Sequence, residues 1–261
     1  MSDIIINLDG PVLRLKLNRP ERRNALNYSM IDGLLDALES IARDDSCRVV
    51  VLSGEGTGFC AGDDLHGMGQ TSGHRWQGRK ASPAVLPQQA LIRTLRTLPK
   101  PVVASIHGYA LGIGLDVALA TDIRVCTYTA EFGDPRAERA LYAATGITYQ
   151  LPRVIGYGRA LGMMFMAERI LGKEAERIGL VYKSVPEKNL TSYVEGIVDR
   201  LSKAATKSIA VIKEQMRVQL DMSYEFASYH SISVRNSYTL EDQEEGVQAF
   251  LQKRPPKFKG K

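Results

Sequence analysis

The sequence predicts an α/β fold of stacked ββα units, followed by a helical C-terminal region. Three observations carry this expectation. Strand-like and helix-like segments recur in the order strand, strand, glycine-rich loop, helix. After Leu151 the apolar spacing is helical throughout. The chain has 261 residues, 44% of them apolar and 24% charged, which excludes a disordered chain or a coiled coil as a description of the whole. At this length one large domain, or one domain with an appendage, is expected. Such a chain buries roughly three quarters of its unfolded surface and needs no disulfides to hold it.

The elements follow in order. Residues 4–8 and 12–17 are apolar or alternating runs split by Asp9, Gly10 and Pro11, which predicts a hairpin. Residues 20–27 form a polar turn. From Ser29 the apolar residues Met30, Ile31, Leu34, Leu35, Leu38 and Ile41 have helical spacing, with Ser29 or Asn27 as N-cap. Residues 49–52 make a short buried strand. Gly54, Gly56, Gly58 and Gly62 then mark a loop where backbone approaches something closely. Residues 67–84 are polar and Gly/Ser-rich and predict a mobile insertion. A helix over 86–98 is stopped by Pro99 and Pro101, and a strand is expected over 102–106. Residues 108–120 are glycine-rich and then helical, and 123–125 is another strand. Helices are expected over 160–167, 174–179 and 194–220. No sequence repeat of 20–50 residues is visible.

Charge and cysteine content narrow the functional class. The net charge is +5, and five of the basic residues lie in the last nine positions, with no acid among them. The rest of the chain balances 29 bases against 29 acids. This argues against a nucleic-acid face, which needs Lys and Arg spread along a surface. Composition alone favours a solvated, frayed terminus for the basic tail, while allowing a local anion contact. Cys47, Cys60 and Cys126 are far apart and form no CxxC pair, so neither a disulfide framework nor a zinc site is suggested. Residues 1–10 do not read as a signal peptide. No apolar run reaches the ~18 residues that span a bilayer. The expectation is a reduced, cytoplasmic protein without a membrane partner.

One segment carries chemistry. Residues 109–120 are apolar except for Asp116. A helix opening near Gly112 would leave its first N–H groups without intrahelical partners, with the positive dipole end behind them, and would suit a developing oxyanion. Asp116 lies three residues past Ile113, on the same helix face. In apolar surroundings its pKa should rise, as suits a general acid or base. The bland reading is that Gly112 and Gly114 only permit close packing and that Asp116 pairs with a buried Arg. The loop from Gly58 to Leu65 offers a second set of backbone donors. It is neither a P-loop nor a GxGxxG fingerprint, and alone it reads as a tight turn. Ser105 and His107 make no hydrolase triad, for no GxSxG elbow exists. His107 and His66 read as packed and solvated residues respectively.

FCAGDDL (59–65), KPVVASIHGYALGIGLDVALATDIRV (100–125), FGDP (132–135), LPRVIG (151–156), AERIGLV (175–181) and EDQEEGVQAFLQKRPPKF (241–258) together resemble the crotonase (enoyl-CoA hydratase/isomerase) superfamily. The resemblance implies a ββα superhelical core over 1–195 carrying an acyl-CoA site. It implies a helical region over 196–261 that drives oligomerisation, as a homotrimer or dimer of trimers, and closes the CoA site. No tightly bound cofactor is implied, coenzyme A being part of the substrate.

The resemblance places the oxyanion-hole amides on Asp63 and Ile113 and the first catalytic acid on Asp116. The second acid falls on Arg136, because FGDPR stands where the family reads FGxPE. The aspartate of dehalogenase-like and dienoyl-isomerase-like members falls on Ala144, and the usual PGxGG loop is replaced by residues 143–147. Arg136 could pair with Asp116 or Asp63, or bind an anionic acyl group. Glu138 or Tyr142 could supply a relocated proton donor, though Glu138 reads first as a surface charge. Asp63 is an acid where the family has a small residue; its bland reading is a loop hydrogen bond to backbone. CoA contacts fall on Arg22, Arg23 and Ala25, on Ala61, Asp63 and Leu65 beside the thioester, and on Phe250 and Lys253 of a neighbouring subunit at the adenine end. Trp76 falls in the segment that walls the acyl pocket. The expected reaction is hydration or double-bond isomerisation of an enoyl-CoA through a thioester enolate. The rivals are a thioester or ring-opening C–C hydrolase, a decarboxylase, and a non-catalytic acyl-CoA binder.

Overall fold

The computed structural model describes residues 2–65, 86–238 and 240–261. The expectations for 67–84, His66 and Trp76 lie outside the described residues. In chain order the strands are β1 (Ile4–Asp9), β2 (Val12–Leu17), β3 (Val49–Gly54), β4 (Val102–Ile106), β5 (Tyr109–Leu111), β6 (Ile123–Thr127), β7 (Glu131–Gly133), β8 (Ile170–Leu171) and β9 (Lys183–Val185). The helices are α1 (Tyr28–Ala42), α2 (Pro87–Thr97), α3 (Ile113–Ala120), α4 (Ile147–Ile155), α5 (Tyr157–Phe165), α6 (Gly172–Arg177), α7 (Leu190–Ser202), α8 (Thr206–Gln219), α9 (Tyr224–Ser237) and α10 (Asp242–Leu251).

The expected hairpin forms: Ile4 pairs with Leu17 and Asp9 with Val12, antiparallel. From β2 onward the main sheet is parallel, in the order β1-β2-β3-β4-β6-β9. A second, three-stranded sheet has the order β5-β7-β8. The four short strands β5, β7, β8 and β9 are too brief, at two or three residues each, to show a periodicity in sequence.

Central strands are buried on both faces, which is why they read as continuous apolar runs. Alternate residues feed different cores. Leu13, Leu15, Leu17, Val50, Leu52 and Ala104 join the larger core with α1, α2 and α3. Val12, Val49, Val51, Val103 and Val125 join a smaller core with Leu190, Val194 and Val198 of α7. A slip of one residue would exchange the two sets, so register is strongly specified. Each such side chain contributes about 1.5–3 kcal/mol. Helix α7 runs unbroken through residue 195, where the sequence reading joins core to helical region.

Asn27, of the two candidate caps, caps α1: its side chain accepts from the Met30 N–H at 2.8 Å. The single helix expected over 194–220 is two helices, α7 and α8, separated at 203–205. Among the described residues no helix is long and apolar enough to cross a membrane.

The basic tail is docked, contrary to the frayed terminus that composition favours. The Asp242 carboxylate accepts from the backbone N–H groups of Lys259, Gly260 and Lys261. Arg48 donates to the Phe258 carbonyl at 3.0 Å, and Glu245 holds Arg254 and the Lys257 N–H. Composition cannot register a tail held largely through its backbone, with Arg254 alone of its charges paired among the described residues.

Candidate active site

Two loops meet at the C-terminal ends of β3 and β4. The first, residues 58–64, follows β3. The second is the turn from β5 into α3. An isolated parallel bridge between Cys60 and Ala110 ties them together: the Cys60 N–H donates to the Tyr109 carbonyl and the Leu111 N–H to the Cys60 carbonyl, both at 3.0 Å. Buried Asn24 braces the first loop by donating to the carbonyls of Glu55 and Gly58. Gly114 has no room for a side chain, since a Cβ there would lie 2.4 Å from the Cys60 carbonyl oxygen. Gly112, at φ 53° and ψ −122°, turns the chain into α3 in a conformation that favours glycine.

This arrangement leaves two amides facing outward from the backbone ladders. The N–H of Leu26 donates to Gly62 O and that of Asp64 to Leu26 O, so the Asp63 N–H between them points away. Ile113 is the first residue of α3, where an N–H has no intrahelical acceptor. Among the described residues neither amide donates to a protein acceptor. Ile113 does not have positive φ, so the Ile in a usual glycine position is unstrained.

All eight residues of α3 are buried, and Asp116 is its one charge. Its carboxylate takes a fork from Arg136, with Nη2 at 2.6 Å from Oδ1 and Nη1 at 3.3 Å from Oδ2. The Thr145 hydroxyl also donates to Oδ2. Arg136 Nε donates to Asp134 Oδ1 at 2.7 Å. The other Asp134 oxygen, Oδ2, is buried with no hydrogen-bond partner. Burial pushes the Asp116 carboxyl up to about 6, against the opposing pull of Arg136 and Thr145. Burial pulls the Arg136 guanidinium down, but Asp116 and Asp134 outweigh it and hold the group above its ordinary value.

Asp63 makes no backbone hydrogen bond through its side chain. Its Oδ1 accepts from Gln88 Nε2 of α2 at 3.3 Å. Burial raises its carboxyl above the usual range, opposed by Gln88 and, through space, by Arg136. One guanidinium thus faces three carboxylates: two in contact and the third through space.

The ion pair of the bland reading therefore exists, at the same place as the free amides. The rival role for Arg136, holding an anionic acyl group, meets a guanidinium already committed to two acids. Glu138 is not brought to this cluster: its side chain is 56% exposed and lies 3.8 Å from Arg139. Tyr142 is exposed. His107 donates from Nε2 to the Gly56 carbonyl, 2.8 Å away, as a packed residue would. All three cysteines are free and buried, and burial pushes the Cys60 and Cys126 thiols up to about 12.

Arg22, Arg23 and Ala25 stand beside the first loop. The Ala61 N–H donates to Arg23 O at 3.1 Å, and both arginine side chains are exposed. Leu65 is exposed at the loop's end. Phe250 and Lys253 are exposed on and just past α10. Sequence reasoning missed Asp134, Thr145 and Gln88. Asp134 was within reach, two residues before Arg136, but Thr145 and Gln88 come from segments whose local pattern says nothing of the site.

Fold and site together define a class: a ββα core that carries two unpartnered backbone amides on neighbouring loops and a buried carboxylate on the helix that one of them opens. The chain belongs to the enoyl-CoA hydratase/isomerase family, whose profile matches residues 8–261. It is 32% identical to 1,2-epoxyphenylacetyl-CoA isomerase of Escherichia coli K12, with all of both chains covered. It is also 32% identical to 2,3-dehydroadipyl-CoA hydratase of the same organism, again with all of both chains covered. The crystal structure of enoyl-CoA hydratase from Bacillus anthracis superposes with a TM-score of 0.88 at 29% identity, covering 99% of this chain and 100% of that one. The fold is the crotonase fold, and the chain is an acyl-CoA enzyme of the hydratase/isomerase kind. Equal identity to an isomerase and to a hydratase leaves the choice of reaction to the site itself.

Proposed function

We propose that this enzyme shifts a double bond within an enoyl-CoA thioester and does not add water to it. The observation that supports this is Arg136. Hydration through the family's two-acid scheme uses one carboxyl to take a proton from water and a second to protonate carbon. Here the second position holds a cation that is itself locked to Asp116 and Asp134. A 1,3-proton shift needs only one carboxyl, which removes a proton from one carbon and returns it to another.

The Asp63 and Ile113 amides form the oxyanion hole in this reading. They stabilise the thioester enolate oxygen at the N-terminus of α3, where the helix dipole favours negative charge. Arg22 and Arg23 lie along the route of the CoA phosphates, with Ala25, Ala61 and Leu65 beside the pantetheine chain. The enzyme uses no cofactor beyond the CoA carried by its substrate. The apolar side chains Met216, Leu220, Phe226, Tyr229 and Ile232 are exposed along α8 and α9. Such a surface suits contact with further copies of the chain, as a trimer or a pair of trimers, which would bring Phe250 and Lys253 of one subunit to the next subunit's adenine site. The expected division, core over 1–195 and assembling region over 196–261, falls inside α7, so in this reading the core extends to the helix end at Ser202.

The test is product analysis on but-3-enoyl-CoA and but-2-enoyl-CoA by chromatography coupled to mass spectrometry, with the absorbance of the conjugated enoyl thioester reporting migration. Double-bond migration without a mass gain is expected. A hydrated product formed with comparable kcat/KM would overturn the isomerase reading.

A further inference from the structure

We propose that Asp63, and not Asp116, is the carboxyl that carries the proton. The inference rests on the isomerase reading above and names the group that performs its central step.

Asp116 is spoken for. Both of its oxygens receive hydrogen bonds, two from Arg136 and one from Thr145, and its side chain is fully buried. To take a proton from carbon it would have to loosen its fork with Arg136 and its bond from Thr145. A charge-assisted fork of this kind is among the strongest hydrogen-bond arrangements in proteins. Its function is to neutralise and hold Arg136, which makes Asp116 a positioning residue.

Asp63 differs on each count. Among the described residues its carboxyl has one hydrogen bond, long at 3.3 Å, from an uncharged amide. It is only partly buried, so a substrate can reach it. Its own backbone N–H is one of the two amides that face the thioester oxygen, and the carboxyl carbon is tethered three bonds from that nitrogen. A carbonyl held by that amide therefore places its α-carbon near the same residue's side chain. The charged and titratable groups facing it are Arg136, beyond β7, and the Cys60 thiol on its own loop. The Cys60 thiol is pushed up chiefly by burial and further by both Asp63 and Asp116, so the two acids flank it. Burial raises Asp63 as well, which strengthens it as a base once ionised.

The step balances without a co-reactant. The Asp63 carboxylate removes a proton from C2 of a 3-enoyl thioester. The C2–H bond breaks and its electron pair forms the C1=C2 bond as the carbonyl π pair moves onto oxygen, giving a dienolate (C1=C2, C3=C4) whose negative charge rests between the two amides. The Asp63 carboxyl then delivers its proton: the carbonyl re-forms, the C1=C2 pair becomes C2=C3 and the C3=C4 pair takes the proton at C4. The double bond has moved from C3=C4 to C2=C3, and the carboxylate is restored.

The experiment compares wild type, Asp63→Asn, Asp63→Glu and Asp116→Asn. Two rates are read in D2O by NMR: isomerisation of but-3-enoyl-CoA, and exchange of the α-protons of butyryl-CoA, which needs a base and the hole but no double bond. Binding of butyryl-CoA is measured by calorimetry. Asp63→Asn keeps the backbone amide and the side-chain shape, so binding should stay within about threefold while both rates fall by at least ~10²-fold. Asp63→Glu should recover part of the loss, which a merely structural hydrogen bond to Gln88 would not require. Asp116→Asn should lower exchange at least tenfold less than Asp63→Asn does, per folded molecule. Absence of exchange in the wild type, or exchange that survives Asp63→Asn and disappears in Asp116→Asn, overturns the proposal. Water addition by a wild type whose exchange still depends on Asp63 would overturn the isomerase reading alone.

Discussion

Two half-buried cations each hold a cluster of polar groups, and they are finished differently. Lys213 of α8 uses all three ammonium protons: it donates to the carbonyls of Leu95 and Lys100 and to Asp122 Oδ2, at 3.0, 3.2 and 2.8 Å. The same Asp122 oxygen also accepts from the Val102 N–H. Arg136 sits among more acids and leaves more undone. Among the described residues Asp134 keeps a buried oxygen without a partner, and Asp63 keeps a single long bond. A closed pair fastens one element to another. An open one holds charge in reserve for something that arrives, and the open pair is the one beside the two unpartnered amides.

The largest effect should fall on the closed pair. Lys213→Ala would leave the Asp122 carboxylate and two carbonyls without their shared cation, and should cost about 3 kcal/mol by denaturant unfolding. Turnover per folded molecule should be retained. If stability barely changes, the contrast between the two centres fails. Next comes the junction of the loops. Gly114→Ala puts a Cβ against the Cys60 carbonyl oxygen, and the α3 terminus must move away from the first loop. A misplaced oxyanion donor should reduce kcat by about 10²-fold, with little change in KM.

The open centre should also show in pH dependence. Asp116 in the folded chain titrates at about 6, above the ordinary carboxylate value. Between about pH 4 and 6 the folded chain keeps a proton that the unfolded chain has released, so this group's contribution to stability declines as pH rises through that window. The stability of wild type relative to Asp116→Asn should therefore drop by roughly 2–3 kcal/mol from pH 4 to 6. A flat difference would mean that the pair is as settled as the Lys213 pair. The smallest effect is expected at Thr145→Val, which removes one donor to Asp116. It should cost about 1 kcal/mol and raise the Asp116 midpoint, readable by carboxyl NMR.

Much of the core was legible because each signal there is local. The hairpin, the buried parallel strands and α1 to α3 show in apolar runs and spacing. So do Asp116 and the glycines around it. Arg136 was recognisable as a substitution, though its pairing was open among Asp116, Asp63 and a ligand. What was not legible depends on contacts distant in sequence. Asp116 and Thr145 are 29 residues apart, and Asp63 and Gln88 are 25 apart. Strands of two or three residues carry no period, and the tail is held largely through backbone groups that composition cannot see.

By itself the sequence determined the hairpin, the buried strands, the helix opening near Gly112, and which chemical groups are available to a thioester, because each of these follows from residue type and short-range spacing. Only the tertiary structure decided which acid the lone guanidinium would claim. Forked hydrogen bonds need atoms placed within a fraction of an ångström, and that placement comes from packing α3 against the Cys60 loop and from the chain's return past β7. In satisfying Asp116 and half of Asp134, the fold left Asp63 as the carboxyl with the fewest obligations.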